Sequence, residues 1–444
     1  MKTFLFLDDW MLDSYRDVVR RFRRSEPVDV DPVPFMGNYA TVLYDSERGC
    51  YRAWYNRQIK RGGKKVWVLC LAESPDGYCW EPARPEVVLS GFTSASGAAV
   101  FYDPYDPDPQ RRYKAAFSDR VDGRDLGLTA CSPDGVHWNI DAEHPFFTRQ
   151  GGVDTFLKPL FNPFRGWYQI SARPSVLDRR VAMVTSPDFV RWGEPQLVLQ
   201  PDPLDEPCLQ FYGMPAFLYK DVFIGLLWCH HTNQEEREWG GCKMMGTIDC
   251  ELAYSYDGLC WNRTDRQPFL GCTEPGTYGC GSIYPHSLVV EEDQIRIYSC
   301  GTLVDHSLEE PPEGYESVGA LLVHRLRRDG FAYLEPRAGW GQVTMRCVRP
   351  RDGKITINFC APFGKVLAQI SDPHGRPIPG YGFEDCIPLR GNELAAPLRW
   401  KERGDASKLI GKHVRLEFRL FQARLYAVRW EAEPWYGDFP IERI

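Results

Sequence analysis

The heptapeptide SPDGVHW, Ser132 to Trp138, has three near-copies in the chain: SPDGYCW from Ser74, SPDFVRW from Ser186 and SYDGLCW from Ser255. The copies begin 58, 54 and 69 residues apart, which is close to a period and is the signature of a repeat architecture. Each copy follows three short runs rich in Val and aromatics. Before the first copy these are YATVLYD, CYRAWYN and VWVLCLAE. Such runs, separated by polar turns, are strand signals. A strand carrying the Trp completes each unit, and four-stranded sheets repeated radially make a β-propeller. A fifth unit, SLVVEEDQ, IRIYSCG, VGALLVHRL and DGFAYLEP, carries RRDGF at the turn. In the phrase itself, Asp accepts backbone N–H groups, Gly takes φ > 0, and Trp packs between neighbouring blades. These are scaffold roles, as repeated turn chemistry in a repeat protein generally is.

From about residue 340 the phrase disappears. TMRCVR, KITINFC, KVLAQISD, HVRLEFRLF and RLYAVRW are short alternating strands that suggest a β-sandwich. The reading is therefore all-β. Residues 1–34 form an N-terminal segment packing on the propeller, 35–338 a five-bladed β-propeller, and 339–444 a β-sandwich. Only Met11 to Val19 carries a helical spacing.

Blade strands alternate in direction, so the end opposite the phrase turns gathers the start of each first strand and each loop between strands two and three. A funnel there is a natural ligand pocket. First-strand starts bring Asn38, Tyr39, Ser96, Asp154, Thr155, Gln210, Tyr212, Tyr284 and His286. The loops bring Arg57, Asp119, Arg120, Arg173, His230, His231, Asp305 and His306. Asp249 stands at the funnel end of a third strand, and Asp8 and Asp9 precede the first blade. Carboxylates, arginines, histidines and aromatic rings together suit a sugar, whose hydroxyls need acceptors and donors and whose ring has an apolar face. Two carboxylates across a glycosidic bond supply acid and base, or acid and nucleophile. Asp154, opening the middle blade in GGVDTFLKPL, is the leading candidate. His230 and His231 are neighbours on a strand, so one of them faces the pocket.

Composition narrows the alternatives. Lys and Arg total 53 against 60 Asp and Glu, a net charge of −7. Such a chain is a poor electrostatic partner for nucleic acid, and its densest basic run, Arg20 to Arg24, sits beside acids. The 15 cysteines contain no C-x-x-C pair, which argues against a disulfide framework and a zinc ribbon. No apolar stretch is long enough to span a membrane, and the apolar run in MKTFLFLDDW is too short for a signal peptide. A cytoplasmic protein is expected, with no cofactor and no metal. Homo-oligomerisation is compatible with the sequence and not specified by it. G-x-S-x-G, P-loop and H-E-x-x-H motifs are absent.

The stretches FLDDWML, TSASGAAVFYD, VDTFLKPLFNPFRGWYQIS, FYGMPAFLYKDVFIGLLW and TIDCELAYSYDGLCWNR, with the SPDG–W phrases, resemble the clan of five-bladed β-propeller glycoside hydrolases of the invertase/levanase and arabinanase type. More narrowly, they resemble uncharacterised bacterial invertase-like proteins. The resemblance covers nearly the whole chain, because the invertase type also carries a C-terminal sandwich. It implies an Asp in N-D-P-N-G of blade one, an Asp in R-D-P of blade three and a Glu in E-C of blade four. Asp154 stands at the R-D-P place without the flanking Arg and Pro. Asn38 stands near the first motif, and Gln210 and Tyr212 near the third. The expectation is a glycoside hydrolase acting on a small carbohydrate, with Asp8 or Asp9, Glu206 and Asp249 supplying the missing carboxylates. The rival readings are a phosphorylase, in which cationic side chains hold inorganic phosphate, and a sugar-binding propeller without catalysis.

Overall fold

In the computed structural model the residues described are 1–148, 155–173, 179–232, 245–306, 308 and 310–435. The chain divides into two compact units. One comprises Ser25–Val290 and Ile295–Arg325; the other comprises Met1–Arg24, Glu291–Gln294 and Leu326–Ile444.

The larger unit is the five-bladed propeller. Blade one is Ala40–Asp45, Cys50–Arg61, Lys64–Ser74 and Glu81–Leu89, hydrogen-bonded in that order. Blade two runs Ser96–Tyr102, Tyr113–Val121, Arg124–Ser132 and an outer edge of Asn139–Asp141 and Phe147–Thr148. Blade three is Pro159–Asn162, Trp167–Ala172, Val181–Ser186 and Gln196–Leu199. In blade four the first strand is broken into Leu209–Gly213 and Ala216–Tyr219, followed by Val222–Thr232, Gly246–Ser255 and Asn262–Leu270. Blade five is Ser282–Val290, Gln294–Thr302 and Gly319–Arg327.

Hydrogen bonds join each blade to the next around the ring. Asn56 Nδ2 donates to Ala98 O, Leu157 N to Gly97 O, Thr155 Oγ1 to Tyr212 O and Trp228 Nε1 to Pro285 O. The circle closes where Val42 N donates to Ser287 Oγ, whose hydroxyl donates to Ala40 O.

The repeated phrase is the rivet of this ring. In the first copy, Asp76 Oδ1 accepts from the N–H of Tyr78 and Cys79, and Ser74 Oγ from that of Gly77. Asp134, Asp188 and Asp257 repeat the pattern. These donors hold the carboxyls of Asp188 and Asp257 down at about 2 against the opposing effect of burial. The turn is then gripped by the blade before it. Trp54 Nε1 donates to Gly135 O, Arg111 Nη2 to Asp188 O, Asn162 Nδ2 to Asp257 O, and Tyr298 Oη to Gly77 O. Phrase tryptophans join cores shared by two blades, as Trp80 does with Tyr298 of blade five and Trp261 with Val181 and Met183 of blade three. In the third copy Phe189 replaces Gly and holds φ +61, its ring packed on Tyr168 and Trp192.

Two expectations are corrected. The outer edge of blade five is not DGFAYLEP. It is Glu26–Pro27, paired with Arg325 and His324, after which Val28 N donates to Val323 O. The strand Ala332–Pro336 pairs instead with Val18–Phe22 and, at Leu334, with Leu425. The stretch Met11 to Val19 forms no helix. Leu12–Arg16 and Val18–Phe22 are strands separated by Asp17 at φ +56, a conformation that interrupts both helix and strand.

The smaller unit is the β-sandwich. Its path runs Leu12–Arg16, Trp340–Met345, Arg415–Phe421, Val348–Ser371, Arg424–Pro434, Ala332–Pro336 and Val18–Phe22. The long strand Val348–Ser371 pairs by its first half with Arg424–Pro434 and by its second with Arg415–Phe421. Both halves feed one core that includes Phe4, Ile357, Phe359, Ala368, Phe418 and Trp430. The first 24 residues thus belong to this unit, because Lys2–Leu5, Leu12–Arg16 and Val18–Phe22 all find ladder partners in it.

Candidate functional site

A cavity of about 530 Å³ opens in the propeller unit. Its wall takes Asn38 and Tyr39 from the start of blade one, Ser96 and Gly97 from blade two, Tyr212 from blade four and Tyr284 from blade five. The second strand of blade one adds Asn56, Arg57 and Gln58, and the loop between strands two and three of blade five adds Asp305 and His306. These are the two kinds of position at which the alternating strand directions gather side chains. Gly97, at φ +62, lies so close to Thr155 that a Cβ would stand 2.0 Å from Thr155 O, so only glycine fits there.

Aromatic rings make much of this wall and the layer beneath it. Tyr39 stacks on Trp228 with centroids 5.2 Å apart, and Tyr284 meets the same indole edge-on at 5.4 Å. Tyr212 sits 5.8 Å from Tyr284 and 4.8 Å from His306. Trp228 and His286 are fully buried, and burial pushes the His286 imidazole down to about 3. Fully buried Phe156 packs against both.

Polar groups cluster on the blade-four side. The Arg173 and Arg179 guanidiniums lie 4.8 and 5.0 Å from the Tyr212 ring centroid. Arg179 Nη1 donates to His230 Nδ1 at 2.8 Å, which leaves the His230 proton on Nε2. Burial, then His306 and the two arginines, hold His230 down at about 2, so it is neutral. Tyr284 Oη and His306 Nδ1 are hydrogen-bonded at 3.3 Å. Across the cavity Arg57 is tied to Glu86, which also accepts from Tyr55.

Other sequence-selected residues are engaged elsewhere. Asp119 accepts from the N–H groups of Phe92, Thr93, Ser94 and its neighbour Arg120, which makes it the cap of a turn. Arg120 is exposed and 3.9 Å from Asp125. His231 points away from His230, as strand alternation requires, and bridges Asp249 at 3.2 Å and Glu206 at 3.3 Å. The Asp249 carboxylate leads in raising His231 to about 9, against burial. Neither Asp249 nor Glu206 lines the cavity. Asp8 and Asp9 belong to the sandwich unit, where Asp8 accepts from Trp10 N and Asp9 from Arg20. Asp154 lies outside the described residues. Its chain neighbour Thr155 is buried against Gly97 and Tyr212.

Sequence reasoning missed Pro34, Phe35 and Gly37, Asn56 and Gln58, Trp67 and Glu316–Gly319 in the wall, and Arg179 beside it. Residues 34–37 and 316–318 carry no strand periodicity. Gly37 is the position where only glycine fits, since a Cβ there would meet Gly319 O at 1.9 Å. Among the described residues no group of His, Cys, Asp and Glu is placed to hold a metal ion. Among the same residues no helix is long and apolar enough to cross a membrane.

No family model matches the chain, and no curated protein matches it. Solved structures similar to it include an N-acetylgalactosamine deacetylase from F. plautii in complex with blood group B trisaccharide (15% identity, 70% of this chain and 96% of that one, TM-score 0.46). A glycosyl hydrolase from Bacteroides ovatus gives 14% identity, 71% and 95% coverage and a TM-score of 0.46. The β-1,2-mannobiose phosphorylase of Listeria innocua gives 13%, 70% and 97%, and 0.47. At this distance no residue role passes from those proteins to this one.

Proposed function

We propose that the chain is a carbohydrate-active enzyme that cleaves a small oligosaccharide or glycoside in the propeller cavity. The observation that carries this reading is the wall itself: the rings of Tyr39, Tyr212 and Tyr284 share one hollow with Asn38, Arg57, Gln58, His306 and the carboxylates Asp305 and Glu316. Ring faces take the apolar side of a pyranose or furanose, while amide, guanidinium and imidazole groups take its hydroxyls. Cleavage needs one carboxyl to protonate the leaving oxygen and another to activate water or attack the anomeric carbon. Asp305 is one such group. Asp154, next in sequence to Thr155, is proposed as the other on sequence grounds.

Phosphorolysis is the second reading, favoured by the two guanidiniums gathered at Tyr212. There inorganic phosphate replaces water as the nucleophile. A panel of aryl glycosides, run with and without phosphate, separates the two. Phosphate-independent release supports hydrolysis, and release that requires phosphate supports phosphorolysis. Asp154→Asn and Asp305→Asn are each expected to lower kcat at least 100-fold. Full activity in either variant removes that residue's role. Sugar binding with no product from any glycoside leaves a binding propeller in place of an enzyme.

A further inference from the structure

The sandwich unit carries a patch that the cavity does not explain. Strands Trp340–Met345, Arg415–Phe421 and the second half of Val348–Ser371 are antiparallel neighbours, and residues directly opposite one another share a face. One face is Val343, Phe418 and Ala368, which lies in the core. The other face is unlike an ordinary solvated surface. At one end Trp340 stands opposite Phe421, with ring centroids 5.3 Å apart and planes at 40°. Trp340 is 43% exposed, and Phe363, two residues before Lys365 on the next strand, is 87% exposed.

Four residues along, Glu417 lies on the same face, only 6% exposed. Two amides reach its carboxylate: Gln342 Nε2 donates to Oε2 and Gln369 Nε2 to Oε1, both at 3.4 Å. A carboxylate has about four acceptor sites, and these two bonds are at the long limit. Between the rings and the carboxylate sits the exposed guanidinium of Arg419, 4.2 Å from the Phe383 ring.

We propose that this face binds a neutral oligosaccharide, with Trp340 and Phe421 under a sugar ring and Glu417, Gln342 and Arg419 taking hydroxyls further along. Strand geometry gives a patch about 13 Å long and about 10 Å across, room for two or three sugar rings. The patch mixes one buried acid, amides and isolated cations, which suits hydroxyls better than a phosphodiester chain or an acidic peptide, either of which would need clustered positive charge. The proposal stands apart from the reaction proposed for the cavity.

Native gels of the full chain, cast with soluble β-glucan, mannan, arabinan or levan, read binding as retardation without any turnover. Retardation on at least one of these is expected. It should weaken about tenfold or more in Trp340→Ala, weaken in Glu417→Gln, and persist in Trp340→Phe and in the cavity variant Asp305→Asn. Unchanged retardation in Trp340→Ala, with the melting temperature of wild type, overturns the proposal. So does the absence of retardation on all four glycans. Light scattering that shows Trp340→Ala converting a dimer to a monomer also overturns it, since the face would then belong to a second copy of the chain.

Discussion

Arg263 offers the sharpest test of how blade four is held. Its guanidinium is 5% exposed and lies between Asp205, 2.6 Å from Nη1, and Glu251, 2.7 Å from Nη2; those carboxylates are 4% and 8% exposed. Arg263→Met keeps the length and removes the charge, leaving two buried carboxylates without their main cation. Arg266 still reaches Asp205 at 3.1 Å, so the loss falls mostly on Glu251. Breaking a buried pair by removing one partner costs about 3–5 kcal/mol. In a unit of this size 1 kcal/mol moves the melting temperature by about 2 °C, so a fall of about 6–10 °C is expected by calorimetry. Adding Glu251→Leu should recover part of that fall, because the uncompensated charge is then gone. A melting temperature unchanged in Arg263→Met, or a double variant less stable than the single one, would refute the reasoning.

Two further outcomes follow from local geometry. Gly135 and Gly62 both have positive φ, but a Cβ on Gly135 would stand 2.5 Å from the Trp54 ring while one on Gly62 meets open space. Gly135→Ala is therefore expected to destabilise by about 2 kcal/mol more than Gly62→Ala, measured by urea unfolding; equal effects would deny the rivet between blades. Lys158 is buried, and among the described residues its Nζ donates to Val100 O and Pro159 O; burial pushes it down to about 7. The unfolded chain holds that proton up to about 10.4, so from pH 7 upward folding releases it and stability rises by about 1.4 kcal/mol per pH unit from this group. Lys158→Met should remove that rise, and a pH dependence identical to wild type would show that the lysine stays charged in the fold.

The phrase was readable because its Ser, Asp, Gly and Trp act within seven residues and against the blade just before. The pairing of Glu26–Pro27 with blade five was not, because a short polar segment gives no strand periodicity and its partner lies about 300 residues away. Strand alternation puts His230 and His231 on opposite faces, and neither lines the cavity. It could not show that His231 would draw Asp249 and Glu206 into an ion pair, since Glu206 comes from a stretch without strand periodicity. Asp119 illustrates a related limit. Position along a strand put it at the funnel end, but a turn at Phe92 to Ser94 offers it backbone donors that no side-chain pattern announces.

The most direct measurement is a crystal structure of the chain soaked with the sugar released from its best aryl glycoside. A sugar ring is expected in contact with Tyr39, Tyr212 and Tyr284, its anomeric carbon within reach of Asp305. Product sugar bound elsewhere in the propeller, with this cavity empty, would contradict the assignment of cleavage to the funnel of the five blades.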